Sequence, residues 1–124
     1  MQGRVLIIAG SDSGGGAGIQ GDIKTVTALD GYASTAITAL TAQSTEGVFA
    51  VENVNPDFIA RQIDLALSDI GADAIKTGML HNTEVIEAVR GALARKGGDI
   101  PIVVDPVTVA KGGQSLLDTG AIGA

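Results

Sequence analysis

Residues 4–18 read RVLIIAGSDSGGGAG, and this stretch decides the fold. Its first part, residues 5–9, is a short uninterrupted apolar run that stops at Gly10, which is typical of a β-strand buried on both faces. Apolar residues then recur at helical spacing, which predicts a helix that ends near Gly31 and buries one face, formed by Ile19, Ile23, Val26 and Leu29. A strand, a glycine-rich loop and a helix in this order indicate an α/β unit.

The same alternation of strands and helices continues along the chain. Further apolar runs predict buried strands, and a roughly alternating segment predicts a short outer strand; these are residues 33–42, 73–77 and 101–105, and residues 47–54. Because the strands are apolar throughout and are separated by helices, we predict an α/β fold with three layers, a mostly parallel sheet flanked by helices.

Two more helices have clear boundary signals. Asn55 and Pro56 predict the N-cap and first residue of a second helix, whose buried stripe is Ile59, Ile63, Ala66 and Ile70. Asn82 or Thr83 caps a third helix, which ends at Gly97 and buries Val85, Val89 and Leu93. Residues 116–118 resemble the start of another helix with only six residues remaining, so we expect a single domain, residues 1–124, that stops inside a fold.

Composition excludes several classes of function. The net charge is −6 and aromatic residues make up 2% of the chain, which argues against nucleic-acid binding and against attraction to anionic membranes. The chain has no cysteine, which excludes disulfides and zinc–thiolate sites within it. No apolar run reaches the ~18 residues of a membrane span or the ~7 of a signal-peptide core. These features predict a cytoplasmic protein.

Ligands of parallel sheets bind beyond the carboxyl ends of the strands, where this chain has four unusual loops. They comprise residues 10–18, 43–45, 76–79 and 105–113. The first loop permits close backbone approach and leads into a helix N-terminus that suits an anion or a polar heterocycle, although it could be a flexible connector. Gly16, Gly18 and Gly21 fit a dinucleotide fingerprint, but they start too far after the strand, and Gln43 replaces the expected acid.

Two polar residues suggest recognition of a ring. Gln43 follows a buried strand, and its amide can pair with the edge of an amino-substituted ring, although it could be a simple turn residue. Asp22 is predicted in the first helical turn, where a carboxylate also stabilises the helix dipole without any other role.

Three charged residues suggest phosphate or metal chemistry. Lys76 ends an apolar strand, so its ammonium reaches solvent or meets an anion. Asp105 ends a strand predicted as buried and suits Mg²⁺, unless it only forms a turn before Pro106. Lys111 could neutralise phosphate charge, or be an ordinary loop lysine. His81, the single histidine, is interpreted as a loop or cap residue.

Four motifs, AGSDSGGGAGIQGDIKT, TALTAQST, AIKTGML and VVDPVTVAKGG, occur in order along nearly the whole chain. Together they resemble the hydroxymethylpyrimidine/phosphomethylpyrimidine kinases of thiamine biosynthesis, which are ribokinase-like. The resemblance covers about the first half of that family's domain. It implies a fold that is incomplete here, phosphorylation of an aminopyrimidine or its monophosphate by ATP with Mg²⁺, and a homodimer.

The resemblance also implies roles for individual residues. Asp22 and Gln43 would hold the pyrimidine, between walls formed by Gly10, Ala17, Met79 and Val107. Asp105 would act in catalysis and bind the metal, with Lys111 as a second catalytic candidate and Lys76 as a cofactor-binding one.

Two departures from the family pattern limit these expectations. Thr108 replaces a methionine, and the family's G-T-G-[CD] loop, which supplies the anion hole and the base, does not occur in these residues. We therefore expect the 124-residue chain to be a poor catalyst by itself. The alternatives are a half-length binder of small heterocycles, a pyridoxal-kinase-like protein, and a nucleotide-binding oxidoreductase supported only by the misplaced fingerprint.

Overall fold

The computed structural model describes residues 3–106. These residues form five strands and three helices in the order β1 (Arg4–Asp12), α1 (Gly18–Ala28), β2 (Tyr32–Ser44), β3 (Gly47–Asn53), α2 (Pro56–Asp69), β4 (Ala74–Thr77), α3 (Thr83–Lys96) and β5 (Ile102–Val104). Among them, no helix is long and apolar enough to cross a membrane.

The strands form one sheet in the order β3-β2-β1-β4-β5, with β1 at its centre. β1 is parallel to β2 and to β4, and β4 is parallel to β5. Only β3 runs antiparallel, at the edge beside β2, which confirms the predicted outer strand. The sheet is therefore mostly parallel, as predicted, and the carboxyl ends of β1, β2, β4 and β5 lie along one edge.

Both faces of β1 are covered, which explains its uninterrupted apolar sequence. Leu6 and Ile8 point to one face, where they join the main core with Ile59 and Ile63 of α2 and with residues of α3. Ile7 and Ala9 point to the other face and pack against Ile19 of α1 and its neighbours. The alternation of strand side chains thus produces the three layers.

The helix boundaries follow the predicted capping chemistry. The side chain of Asn55 accepts a hydrogen bond from the backbone N–H of Asp57, with Pro56 as the first residue of α2. The side chain of Asn82, rather than that of Thr83, caps α3 by accepting from the N–H of Val85. These bonds satisfy backbone donors that the helix itself leaves free.

Three sequence predictions about burial and boundaries are wrong. β1 does not stop at Gly10 but continues to Asp12, because pairing with β2 resumes after a bulge. The buried face of α1 is narrower than predicted: Leu29 lies beyond the last helical residue and is 70% exposed, and Ile23 is 36% exposed. β5 is exposed rather than buried because it lies at the edge of the sheet, where no described helix packs on it.

Candidate ligand-binding cleft

One cleft lies at the carboxyl ends of the parallel strands. Its volume is about 280 Å³. Its walls come from β1, α1 and its N-cap, β2, β4 and the segment after it, and the residue after β5, namely Gly10, Ser11, Asp12, Ala17, Gly18, Asp22, Thr41, Gln43, Lys76, Gly78, Met79 and Asp105. The cleft therefore lies where parallel sheets commonly bind ligands.

The structure brings together every predicted site residue that it describes. These seven residues all line the cleft: Gly10, Ala17, Asp22, Gln43, Lys76, Met79 and Asp105. The other two, Val107 and Lys111, lie outside the described residues. The position of the seven supports a shared site, and their individual binding roles stay predictions.

Asp22 and Lys76 form an ion pair inside the cleft. Lys76 Nζ donates to Asp22 Oδ2 at 2.6 Å, and about three quarters of each side chain is buried. Asp22 is predicted in the first turn of α1, but the helix already begins at Gly18 and Asp22 lies beyond that turn. The carboxylate therefore pairs with a lysine rather than stabilising the end of the helix dipole, and Lys76 meets an anion belonging to the protein.

The glycine-rich loop is organised by Asp12, which the sequence analysis did not select. Asp12 Oδ1 accepts from the N–H of Gly14 at 2.8 Å, and Oδ2 accepts from the N–H groups of Gly16 and Ala17 at 3.0 and 2.8 Å. Its side chain thus occupies backbone donors that the prediction offered to a ligand. The sequence contained a signal for this role of Asp12, because an aspartate followed by small residues favours hydrogen bonds to the backbone just after it.

Gln43 is held firmly through its backbone. Ser13 Oγ accepts from the N–H of Gln43 at 2.8 Å and lies 3.1 Å from its carbonyl oxygen, to which the hydroxyl donates. The side-chain amide lies beside Thr41, with Oε1 placed 3.1 Å from Thr41 Oγ1. Gln43 also lines the cleft, as a residue that recognises a ring edge requires.

Close packing explains two of the cleft glycines, against a side chain at Gly10 and against backbone at Gly18. A Cβ atom on Gly10 would overlap the terminal methyl group of Met79. Gly18 has φ +57, and a Cβ atom there would overlap the carbonyl oxygen of Gly10. Side chains at these positions would push β1, α1 and Met79 apart, so the glycines keep the cleft walls in contact.

Asp105 is the carboxylate that the sequence predicts as the Mg²⁺ ligand, and it lines the cleft. Its backbone N–H donates to the carbonyl oxygen of Thr77, while its side chain has no hydrogen-bond partner within residues 3–106. The same residues contain no cluster of three or more acidic or histidine ligands. Mg²⁺ is commonly held by one or two carboxylates together with substrate phosphates and water, so this donor set fits the ion.

His81 directly precedes the N-cap of α3. Its φ is 73, a left-handed conformation that is uncommon for residues other than glycine. It does not line the cleft. This position is consistent with the interpretation of His81 as a loop residue.

The fold and the cleft define an α/β protein with a candidate ligand-binding cleft at the carboxyl edge of a mostly parallel sheet. The chain belongs to the phosphomethylpyrimidine kinase family, whose model matches residues 12–124. It is 54% identical over 121 residues to a thiamine biosynthesis bifunctional protein of Geobacter sulfurreducens, covering 98% of this chain and 24% of that protein. It is 50% identical to the hydroxymethylpyrimidine/phosphomethylpyrimidine kinase of Rhizobium meliloti, covering 96% of this chain and 44% of that one.

Solved structures agree with this assignment. A phosphomethylpyrimidine kinase of Clostridium difficile matches with a TM-score of 0.86 and 45% identity over 97% of this chain and 52% of its own. A pyridoxal kinase of Staphylococcus aureus, solved with AMP-PCP and pyridoxal, matches with a TM-score of 0.72 and 41% identity, over 84% of this chain and 39% of its own. The predicted ribokinase-like fold is confirmed. The chain spans about half the length of the kinases that it matches, 44% of the Rhizobium kinase and 52% of the Clostridium one.

Proposed function

We propose that this chain forms one α/β domain, residues 1–124, that supplies the pyrimidine-binding half of a hydroxymethylpyrimidine/phosphomethylpyrimidine kinase. The observation that carries the proposal is the convergence of Asp22, Gln43 and Met79 on one cleft at the carboxyl edge of the sheet. These residues come from three separate elements, and a cleft that combines polar groups with an apolar wall suits a substituted aromatic ring.

The cleft residues would bind and orient the substrate. Gln43 and Asp22 would hydrogen-bond the polar edge of the pyrimidine, while Gly10, Ala17 and Met79 enclose its ring, together with Val107. In the reaction, the hydroxymethyl oxygen forms a bond to the γ-phosphorus of ATP, the bond from that phosphorus to the bridging oxygen of ADP breaks, and the hydroxyl proton is released. Holding the hydroxymethyl group in line for this transfer is the contribution of these residues.

Asp105 would hold Mg²⁺ at the same edge of the cleft. When bound, the ion neutralises negative charge on the phosphate groups of ATP. Lys111 would neutralise negative charge on the transferred phosphate group. Lys76 is a weaker candidate for phosphate binding than the sequence predicts, because its ammonium is already paired with Asp22.

Calorimetry with hydroxymethylpyrimidine tests the binding role. Gln43→Ala should weaken binding by about 1 to 3 kcal/mol, because it leaves polar groups of the bound ring without partners. The matched control is Gln62→Ala, which removes a glutamine bonded to the backbone of Ile37 on the α2 side of the sheet and should leave affinity unchanged. Equal affinities of the wild type and the Gln43 variant would contradict the proposal.

Phosphoryl transfer should need more than this chain. We expect no ATP-dependent phosphorylation of hydroxymethylpyrimidine by the 124 residues alone, and activity from a longer chain that carries the family's second half. Asp105→Asn in the longer chain should lower turnover and raise the Mg²⁺ requirement with little loss of thermal stability. Substantial turnover by the short chain would place the base within these residues or in a partner subunit.

A homodimer and a cytoplasmic location remain parts of the proposal.

Pyridoxal is the second candidate substrate. The Staphylococcus aureus pyridoxal kinase, whose structure contains pyridoxal, shares 41% identity with this chain. Calorimetry with pyridoxal beside hydroxymethylpyrimidine distinguishes the two, and the tighter ligand identifies the preferred ring.

A further inference from the structure

The hydroxyl group of Thr41 carries one proton and lies within hydrogen-bond distance of two oxygen atoms. Thr41 Oγ1 lies 2.7 Å from the carbonyl oxygen of Ser11 and 3.1 Å from the atom placed as Oε1 of Gln43. A threonine hydroxyl can donate one hydrogen bond and accept two. It therefore cannot donate to both oxygens, and the geometry decides which contact keeps the proton.

Thr41 donates its hydroxyl proton to the carbonyl oxygen of Ser11. A backbone carbonyl oxygen can only accept, so the short 2.7 Å contact exists only if Thr41 donates to it. The lone pairs of Thr41 Oγ1 then face the amide of Gln43, and an oxygen at 3.1 Å would be repelled. The oxygen and nitrogen of a glutamine amide have nearly the same shape, and the hydrogen-bond network determines which position each occupies. Nε2 therefore belongs beside Thr41.

We propose that Thr41 orients the amide of Gln43 so that Nε2 donates to the threonine and the carbonyl oxygen is presented to the ligand, which makes Thr41 a specificity-determining positioning residue. This inference rests on the proposed function for its ligand. The backbone of Gln43 is fixed on both sides by Ser13, so rotation of the side-chain amide is the freedom that Thr41 removes.

Asp22 adds a second hydrogen-bond acceptor to the cleft. Its Oδ2 accepts from Lys76, and its Oδ1 has no partner within residues 3–106. The two polar side chains thus both present hydrogen-bond acceptors to a ligand. A ring with an exocyclic amine supplies donors to such acceptors, whereas a ring with a carbonyl at that position places oxygen against oxygen.

The orientation can be measured without any ligand. In NMR spectra of the full 124-residue chain, the Nε2 protons of Gln43 should show nuclear Overhauser effects to the side chain of Thr41. Thr41→Val removes the hydroxyl at nearly constant shape and should shift these amide resonances, while Thr41→Ser should keep them. Absence of the Overhauser effects in the wild type would overturn the proposal, whatever the protein binds.

Binding then tests selectivity. The probes are 4-amino-5-hydroxymethyl-2-methylpyrimidine and the analogue with a carbonyl at position 4, measured by calorimetry. In the wild type, the carbonyl compound must turn the amide away from Thr41, so the amine should bind more tightly. Thr41→Val should reduce this preference roughly tenfold, mainly because the carbonyl compound binds better, and Thr41→Ser should restore it.

The outcomes separate this inference from the proposed function. Thr25→Val is the matched control, since the Thr25 hydroxyl also donates to a backbone carbonyl, that of Gly21, but does not line the cleft. A Thr41→Val variant that loses both probes equally would show a structural role only and would overturn the proposal. Failure of the wild type to bind either probe would contradict the proposed function, and the Overhauser measurement would still decide the orientation.

Discussion

Lys76 Nζ and Asp22 Oδ2 lie 2.6 Å apart, although 54 residues separate them in the chain. Their pairing joins β4 to α1, and both side chains belong to residues that line the cleft. Neither charge is fully solvated, so each depends on the other, and the bond also fixes which carboxylate oxygen of Asp22 remains available. One ion pair thus supports the layer of α1 and shapes the candidate site.

Removal of the Lys76 charge should destabilise the chain. Lys76→Met keeps the length and apolar stem but leaves Asp22 unpaired, and we expect a loss of about 1–3 kcal/mol in the free energy of unfolding, between the values for exposed and fully buried pairs. Urea denaturation measures this loss. The double variant with Asp22→Asn should recover part of it, because no unpaired charge remains. If the single and double losses simply add, the two side chains are not coupled.

Asp12→Asn should loosen the glycine-rich loop. An amide presents one oxygen, so its NH₂ group would face either the N–H of Gly14 or those of Gly16 and Ala17, and we expect a loss of about 2 kcal/mol in stability. Amide hydrogen exchange within residues 14–17 should accelerate. Asp57→Asn, which also removes one charge but at an exposed position in the first turn of α2, is the control. Unchanged exchange in the Asp12 variant would mean that other contacts hold the loop.

Gly18→Ala should cost more stability than Gly98→Ala. Both glycines have positive φ, so alanine is strained at either position by about 1–2 kcal/mol. At Gly98 the added Cβ meets nothing within 4 Å, whereas at Gly18 it overlaps the backbone of Gly10. The difference between the two free energies of unfolding isolates the close approach of α1 to β1. Equal losses would show that this approach relaxes freely.

Acid should remove a contribution that Asp73 makes to stability. Hydrogen bonds from the side chain and backbone of Arg4 lower the pKa of Asp73 from 3.8 to about 2. Because the folded pKa lies below the unfolded one, this contribution is present above about pH 4 and is lost as the pH falls towards 2. Asp73→Asn should flatten the acid limb of a stability–pH curve, with a small effect because the pair is exposed. Parallel curves for the two proteins would contradict the assignment.

Hydrophobic periodicity and capping signals sufficed to predict the layers of this fold. Within the predicted strand, residues 6–9 are buried on both faces, and Asn55 and Asn82 cap their helices as predicted. Leu29 and β5 show the limit of this argument. An apolar residue indicates that burial would be favourable, but the position of neighbouring elements decides whether anything covers it.

The site residues were predictable by their position after strands, and their pairings were not. Gln43 and Lys76 stand out in sequence because polar side chains end apolar strands. The bond between Lys76 and Asp22 depends on the placement of α1 over the sheet, which no local pattern specifies. Asp12 was missed because the strand continues beyond Gly10, which turns an assumed loop residue into a buried acceptor.

The central position of β1 has a kinetic consequence. Its partners β2 and β4 are both parallel to it, so each pairing must wait for a helical crossover to form, and the β1–β4 pairing joins residues about seventy positions apart. Such distant pairings form slowly because the entropy of loop closure is lost before any contact compensates for it. The cleft, which draws on Gly10 at one end of the chain and Asp105 at the other, should be among the last features to assemble during refolding.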